Sequence, residues 1–226
     1  DVEDIAVPFL ELTKSLTDED LVVIIQSKGE EHHKAIARRE NVSETISDAL
    51  VETQNEDVVA TLVSNDGAAL SDTTMNKVLD DFGHVKKIST PMAQRASLPL
   101  DVAERLVSLV SDKIQEKLLT HQELSSDMAM DLILQSRERA TVSLLDGTSE
   151  APDVHALVKQ LHQNGRLTPT LIIRALCMGD LVFFETALAQ KAEIPVVNVY
   201  KLVHDKGDLP LQRLFEKAEM PEAMIP

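Results

Sequence analysis

Leu16-Thr17-Asp18-Glu19-Asp20-Leu21-Val22-Val23-Ile24-Ile25-Gln26-Ser27-Lys28-Gly29 is the stretch on which the fold turns. A hydroxyl residue that can accept an orphan backbone N–H stands before three acids, which suit the positive end of a helix dipole. The aliphatic pair Ile24-Ile25 follows, and Gly29 is a breaker. Beyond it His32, Ile36 and Ala37 resume an apolar stripe at helical spacing. The segment predicts a short helix, a break and a second short helix.

Working outward, the pattern returns. Similar segments begin at Leu16, Val42, Leu70, Leu98 and Leu124, spaced by 26, 28, 28 and 26 residues. Thr17, Ser43, Ser71 and Ser125 occupy the capping position, and in the fourth repeat Pro99 suits a first helical turn. Further along each repeat stand Ile24-Ile25, Leu50-Val51, Val78-Leu79, Leu106-Val107 and Leu132-Ile133. The second stripe reads Val58, Leu62, Val63 in the second repeat, Ile114, Leu118, Leu119 in the fourth and Ala140, Leu144, Leu145 in the fifth. The third repeat fits with two residues inserted, which brings Met92 and Ala93 into place, and Pro91 there predicts a kink or break. Breakers fall between the stripes at Gly29, Asn55 and Gly83. Each of the five repeats therefore reads as a hairpin of two short helices.

One such hairpin cannot bury its own apolar faces, whereas stacked neighbours can. The expected fold is all-α: an α-solenoid of helical hairpins over residues 1–146, followed by a C-terminal all-helical subdomain over 153–226. The linker expected between them is Asp146-Gly147-Thr148-Ser149-Glu150-Ala151-Pro152. Extending the register backward puts Ala6 and Leu10 on the second helix of a preceding repeat, so the native chain is expected to continue upstream of Asp1. In the C-terminal block, helices are predicted over 153–164, from Pro169 to the stop at Gly179, after the cap Asp180, from Pro195 to before Gly207, and over 211–217.

Composition narrows the function. The chain of 226 residues is 43% hydrophobic, a globular composition, and its longest aliphatic runs are far too short to cross a bilayer. A single cysteine excludes a disulfide framework and points to a reducing compartment. The net charge of −16 argues against non-specific nucleic-acid binding, which needs clustered Lys and Arg. Most of that charge lies in residues 1–80, with 18 acids against 6 bases. It is not an acidic tail, because the acids alternate with apolar residues at helical spacing.

Few residues suggest chemistry. Glu30 and His33 have a Glu-x-x-His spacing used by di-metal sites, but no second copy accompanies them, and His32 falls on an apolar stripe position as a partly buried histidine. His204 and Asp205 are adjacent on a helix and point about 100° apart, so the histidine reads as a helix C-terminal residue. Cys177 reads as a buried, inert thiol on an apolar helix. No phosphate-binding glycine loop, nucleophile elbow or paired-cysteine motif is present. No catalytic residue, metal ligand or cofactor is assigned.

Sorting the charges by helix sharpens the picture. The predicted first helices of the five repeats sum to −10, and the second helices with their turns to −1. One layer is expected to be acidic and the other near neutral. The near-neutral layer carries the candidate partner-binding residues Arg38, Arg39, Lys86, Lys87, Arg95, Arg137 and Arg139.

The stretch His33-x-x-Ile36-Ala37-Arg38-Arg39 is one half of a family pattern. The other half comprises Gly165-Arg166-Leu167-Thr168-Pro169, Arg174-Ala175-Leu176-Cys177-x-Gly179-Asp180, Phe183-Phe184-Glu185 and Ile194-Pro195. Together they resemble the bacterial, mostly alphaproteobacterial, proteins grouped as domain of unknown function 2336, and the resemblance implies a cytoplasmic protein with HEAT-like helical repeats. It implies no activity. In that block Thr168 and Asp180 are expected to cap helices, and Arg174 to pair with Asp180 or Glu185.

Three functions compete. The first is a non-enzymatic scaffold binding a partner protein in bacterial regulation or signalling, with a homodimer compatible and no membrane insertion. The second is a nucleic-acid-binding helical-repeat protein. The third is an enzyme whose site is assembled from distant residues.

Overall fold

The computed structural model describes residues 2–120, 126–145 and 151–224. Among them are fourteen α-helices and one short 3-10 turn, with no strand beyond a single backbone bridge between Val42 and Ala68. The expected cap Ser125 and most of the predicted linker, 146–150, lie outside the described residues. Two compact units are present, Asp1–Leu109 and Val110–Pro226.

The first unit contains α1 (Val2–Leu12), α2 (Asp18–Ser27), α3 (Glu30–Ala37), α4 (Glu44–Glu52), α5 (Glu56–Val63), α6 (Asp72–Phe82), α7 (Lys86–Gln94) and the beginning of α8 (Leu100–Thr120). Its hairpins start where the caps predict. Thr17 forms a full capping box with Asp20, and the hydroxyls of Ser43 and Ser71 accept from Ile46 and Thr74 N–H. Asn55 Oδ1 accepts from both Asp57 and Val58 N–H, so the break at the second hairpin doubles as the cap of α5. First helices pack on first helices (α2 on α4, α4 on α6) and second on second (α1 on α3, α3 on α5, α5 on α7). Helix α1 thus takes the place the backward register assigns to it, with Leu10 buried.

The two stripes of each hairpin meet in one core. Ile25, Leu50, Val51, Val78 and Leu79 from the first helices join Ile36, Leu62, Val63, Ile88 and Met92 from the second. Fully burying such a side chain contributes about 1.5–3 kcal/mol. Helix α7 runs through Pro91 without the predicted break, and Ala93, one of the residues the insertion aligns with the stripe, is exposed. At the second-to-third hairpin junction the backbone is tight: Val42 N–H donates to Gly67 O and Ala69 N–H to Val42 O. A Cβ on Gly67 would lie 2.0 Å from Glu40 O, so no side chain fits there.

A polar ladder links neighbouring first helices. Asp18 accepts from Ser43 Oγ at 2.5 Å, Glu52 from Lys77 Nζ at 2.7 Å, Asp48 from Thr74 and Asp80 from Arg105. Much of the acidity of this layer therefore has a partner one repeat away, although the carboxylates remain exposed.

The fourth and fifth repeats depart from the prediction. Where the sequence pattern calls for hairpins, α8 and α9 (Ser126–Leu144) are single helices of 21 and 19 residues. The reason lies at one repeat position, thirteen residues after each start. It holds Gly29, Asn55 and Gly83 in the hairpins but Ser111 and Arg137 in the long helices. Glycine weakens a helix interior by about 1 kcal/mol relative to alanine, and asparagine prefers a cap, whereas arginine is a good helix former. Gly83 is further required by space, since a Cβ would meet Leu79 O at 2.5 Å and Leu109 Cδ1 at 2.7 Å.

The second unit is built around α12 (Leu181–Ala192). Helices α10 (Ala151–Gln163), α11 (Pro169–Cys177), α13 (Val196–Val203) and α14 (Asp208–Lys217) pack against it, and α9 packs on α11. Phe183, Phe184, Ala187, Leu188 and Ala192 of α12 are all buried, the pattern of a helix surrounded by others. Asp180 caps it, accepting from Phe183 N–H at 2.8 Å. Cys177 is exposed, contrary to the buried thiol expected, because it is the last residue of α11 and lies beyond the buried face carrying Leu171, Ile172 and Ala175.

Candidate functional site

In the first unit the second helices α3, α5 and α7 border an open groove of about 810 Å³. Its polar lining comprises Lys34, Arg38, Asp57, Thr61, Ser64, Asn65 and Lys87, three cations against one carboxylate. Three further carboxylates, Glu30, Glu31 and Glu56, stand beside the lining as partners of the two lysines. Arg38 is the C-cap residue of α3, which fixes it at the helix end with its side chain exposed. It makes no ion pair among the described residues. Lys34, one turn earlier, pairs with Glu30 at 2.5 Å and Glu31 at 3.5 Å. Lys87, on the first turn of α7, reaches across to Glu56 at 2.6 Å and Asp57 at 2.5 Å. Hydrogen bonding to Lys87 holds the Asp57 carboxyl below the usual carboxylate range, and the bond to Asp57 raises the Lys87 ammonium. Both are charged at neutral pH.

The other basic positions have different surroundings. Arg39 donates to Leu10 O and, at 2.7 Å, to Thr13 O at the end of α1. Arg95 donates to Val63, Asn65 and Ala68 O at 3.2, 3.2 and 2.6 Å. Asn65 does the same work one repeat earlier, with Nδ2 2.9 Å from Ala37 O and 2.7 Å from Arg39 O. These three form a series that ties each second helix to the carbonyls ending the previous one, satisfying acceptors that a helix terminus leaves open. Lys86 and Arg139 are exposed, and Arg137 pairs with Asp112. Arg137 and Arg139 belong to the second unit. Sequence reasoning missed Lys34 in the groove and Asn65 in the clamp series. The signal for Asn65 was present, since it shares a repeat position with Arg39.

His32 is half-buried, as its stripe position predicts, and His33 beside it is buried: its Nε2 lies 2.8 Å from Ile25 O, while Glu30 turns to Lys34 and Asn55. His204 Nδ1 lies 2.9 Å from Tyr200 O, its ring stacks on Tyr200, and Glu185 Oε1 is 3.6 Å away. Burial raises the Glu185 carboxyl, with a smaller opposing pull from His204.

A second cleft, of about 200 Å³, lies between α9 and the turn joining α10 to α11. Buried Glu138 stands in its wall and accepts from Thr168 and Thr170 Oγ1, both at 2.5 Å, with Arg174 Nη2 at 3.6 Å. Arg174 thus pairs with Glu138 instead of the expected Asp180 or Glu185, which are engaged in capping α12 and facing His204.

The described helices define a helical-hairpin protein with a C-terminal helical unit. The family model for domain of unknown function 2336, described as an uncharacterised protein conserved in bacteria, matches residues 5–226, and the chain belongs to that family. No curated protein and no solved structure is significantly similar to it. Among the described residues no helix is long and apolar enough to cross a membrane.

Proposed function

We propose that the chain is a non-enzymatic helical-repeat scaffold that binds a partner protein in bacterial regulation or signalling, and that the groove over α3, α5 and α7 receives an acidic segment of that partner. The observation that carries this reading is the cationic lining of the groove, Lys34, Arg38 and Lys87, on a strongly acidic chain. Arg38 offers a guanidinium fork that makes no ion pair among the described residues, suited to bidentate contact with Asp or Glu. Lys34 and Lys87 exchange part of their intramolecular pairing for the incoming carboxylates. Thr61 and Asn65 form the neutral wall between them, their donors already given to the carbonyls of Asp57, Ala37 and Arg39.

The test is fluorescence anisotropy of a labelled Asp/Glu-rich dodecapeptide titrated with the full chain. Binding is expected to weaken with rising salt, as contacts at exposed charges do. Arg38→Glu is expected to reduce affinity about tenfold or more, corresponding to about 1.4 kcal/mol. Lys206→Glu, exposed in the second unit, should leave it unchanged. An Arg38→Glu protein that binds as the parent does would refute the assignment.

A further inference from the structure

The repeat supplies an internal standard for what each position should bury. Leu50 and Leu132 occupy the same repeat position, yet Leu50 is 0% exposed and Leu132 is 50% exposed. Along the same helix Met128, Met130 and Leu134 are also exposed, flanking the buried line of Ala129 and Ile133. A helix apolar on so much of its circumference is one that ordinarily lies inside a core. Helix α9 runs straight past Arg137 and its first half leaves apolar side chains exposed, whereas Leu106 at the same repeat position of the straight α8 is packed in the core of the first unit.

Charge indicates what covers them. Within the segment 126–136 the only ionisable side chains are Asp127 and Asp131, both exposed, and no base accompanies them. Asp131 accepts from Gln135 on the same helix. A second copy of this chain, carrying −16 overall and the same acids on this face, is disfavoured by like-charge repulsion. An amphipathic helix with basic flanks is complementary in both respects, its apolar stripe meeting Leu132 and its Lys or Arg meeting the two aspartates. The flexible Met128, one turn before Leu132 on the same side of the helix, suits a surface that adapts to such a partner, while Met130 and Leu134 lie on the other flank of the buried line.

We infer that the exposed face of α9, centred on Leu132 and bordered by Asp127 and Asp131, docks a basic amphipathic helix of a partner protein. This face is opposite in charge preference to the groove of the first unit, and the two are tested independently.

The probe is an 18-residue Leu/Lys amphipathic helix, labelled and titrated with the full chain, alongside the same peptide with every Lys replaced by Glu. The Lys peptide is expected to bind at least tenfold more tightly than the Glu peptide. Leu132→Gln and Asp127→Asn/Asp131→Asn should each weaken it about tenfold, with the chain still unfolding in one cooperative thermal transition, because these side chains are exposed. Arg38→Glu should leave it unaffected. Equal binding of the two peptides, no binding, or unaltered affinity in both variants would overturn the inference. A concentration-dependent dimer in analytical ultracentrifugation that Leu132→Gln abolishes would assign the face to a second copy and overturn it as well.

Discussion

The hairpins of 16–94 and the long helices of 100–144 are written in the same repeat but folded differently. Both carry the aliphatic pair of the first stripe at the same offset, and the second stripe too once two residues are inserted in the third repeat. The former bend at Gly29, Asn55 and Gly83, and the latter run straight through Ser111 and Arg137. Bending lets both stripes of a hairpin face one core. Without the bend, a stripe continues along one helix, and some side chains the pattern marks as core lie at the surface: Val58 is fully buried, whereas Ile114 at the same repeat position is 47% exposed. The difference teaches that the apolar pattern specifies which side of a helix is apolar, while the breaker position decides where the chain turns; Leu106, on the straight α8 yet 6% exposed, shows that burial also depends on what packs alongside.

The comparison can be broken most forcefully at its matched leucines. Leu50→Ala should cost about 2–5 kcal/mol in urea unfolding, as large-to-small changes in packed cores do, and Leu132→Ala well under 1 kcal/mol, as at an exposed site. Similar losses at both would show that Leu132 is covered. The clamp series comes next. Arg95→Ala removes a guanidinium that serves three carbonyls and should cost about 2–3 kcal/mol. Arg95→Lys should rescue little, because an ammonium cannot span the same fork of acceptors.

The breaker position itself gives a smaller effect with a characteristic sign. Gly83→Ala should destabilise, since its Cβ meets backbone at Leu79. At the equivalent site of α8, Ser111→Gly should destabilise by about 0.5 kcal/mol, since glycine weakens a helix interior. Stabilisation by either would remove the stated cause of the difference.

Smallest is a pH effect in the second unit. Burial holds the Glu185 carboxyl above its usual range, so its ionised form opposes folding and stability falls as pH rises through the folded value. Glu185→Gln should therefore raise Tm at pH 7, and the gain should vanish as the pH drops below the usual carboxylate range. A Tm gain that persists undiminished into acid would point to a cause other than charge.

Much of this was legible in the residues. The caps Thr17, Ser43 and Ser71, the breakers and the stripes located every helix of the hairpin region, and proline-then-glycine punctuation located those after Pro169. The straightness of α8 and α9 was legible only in hindsight, because the apolar stripes continue and the signal is the absence of a breaker at one position. The site was less legible. Arg38 and Arg39 are adjacent and chemically alike, yet one opens to the groove while the other is turned to α1 carbonyls, a distinction set by the neighbouring repeat. The pairing of Arg174 with Glu138 joins residues 36 positions apart and has no local signature.

The account turns on whether α9 is one helix, and a spin-label distance settles that directly. Nitroxides at Asp131→Cys and Ser143→Cys, in a Cys177→Ser background, are separated by twelve residues of helix, or about 18 Å along the axis. A narrow distribution near that separation is the result the account predicts. A hairpin bent at Arg137 would fold the two positions back to about 10 Å, the spacing of packed helices, and that short distance would contradict it.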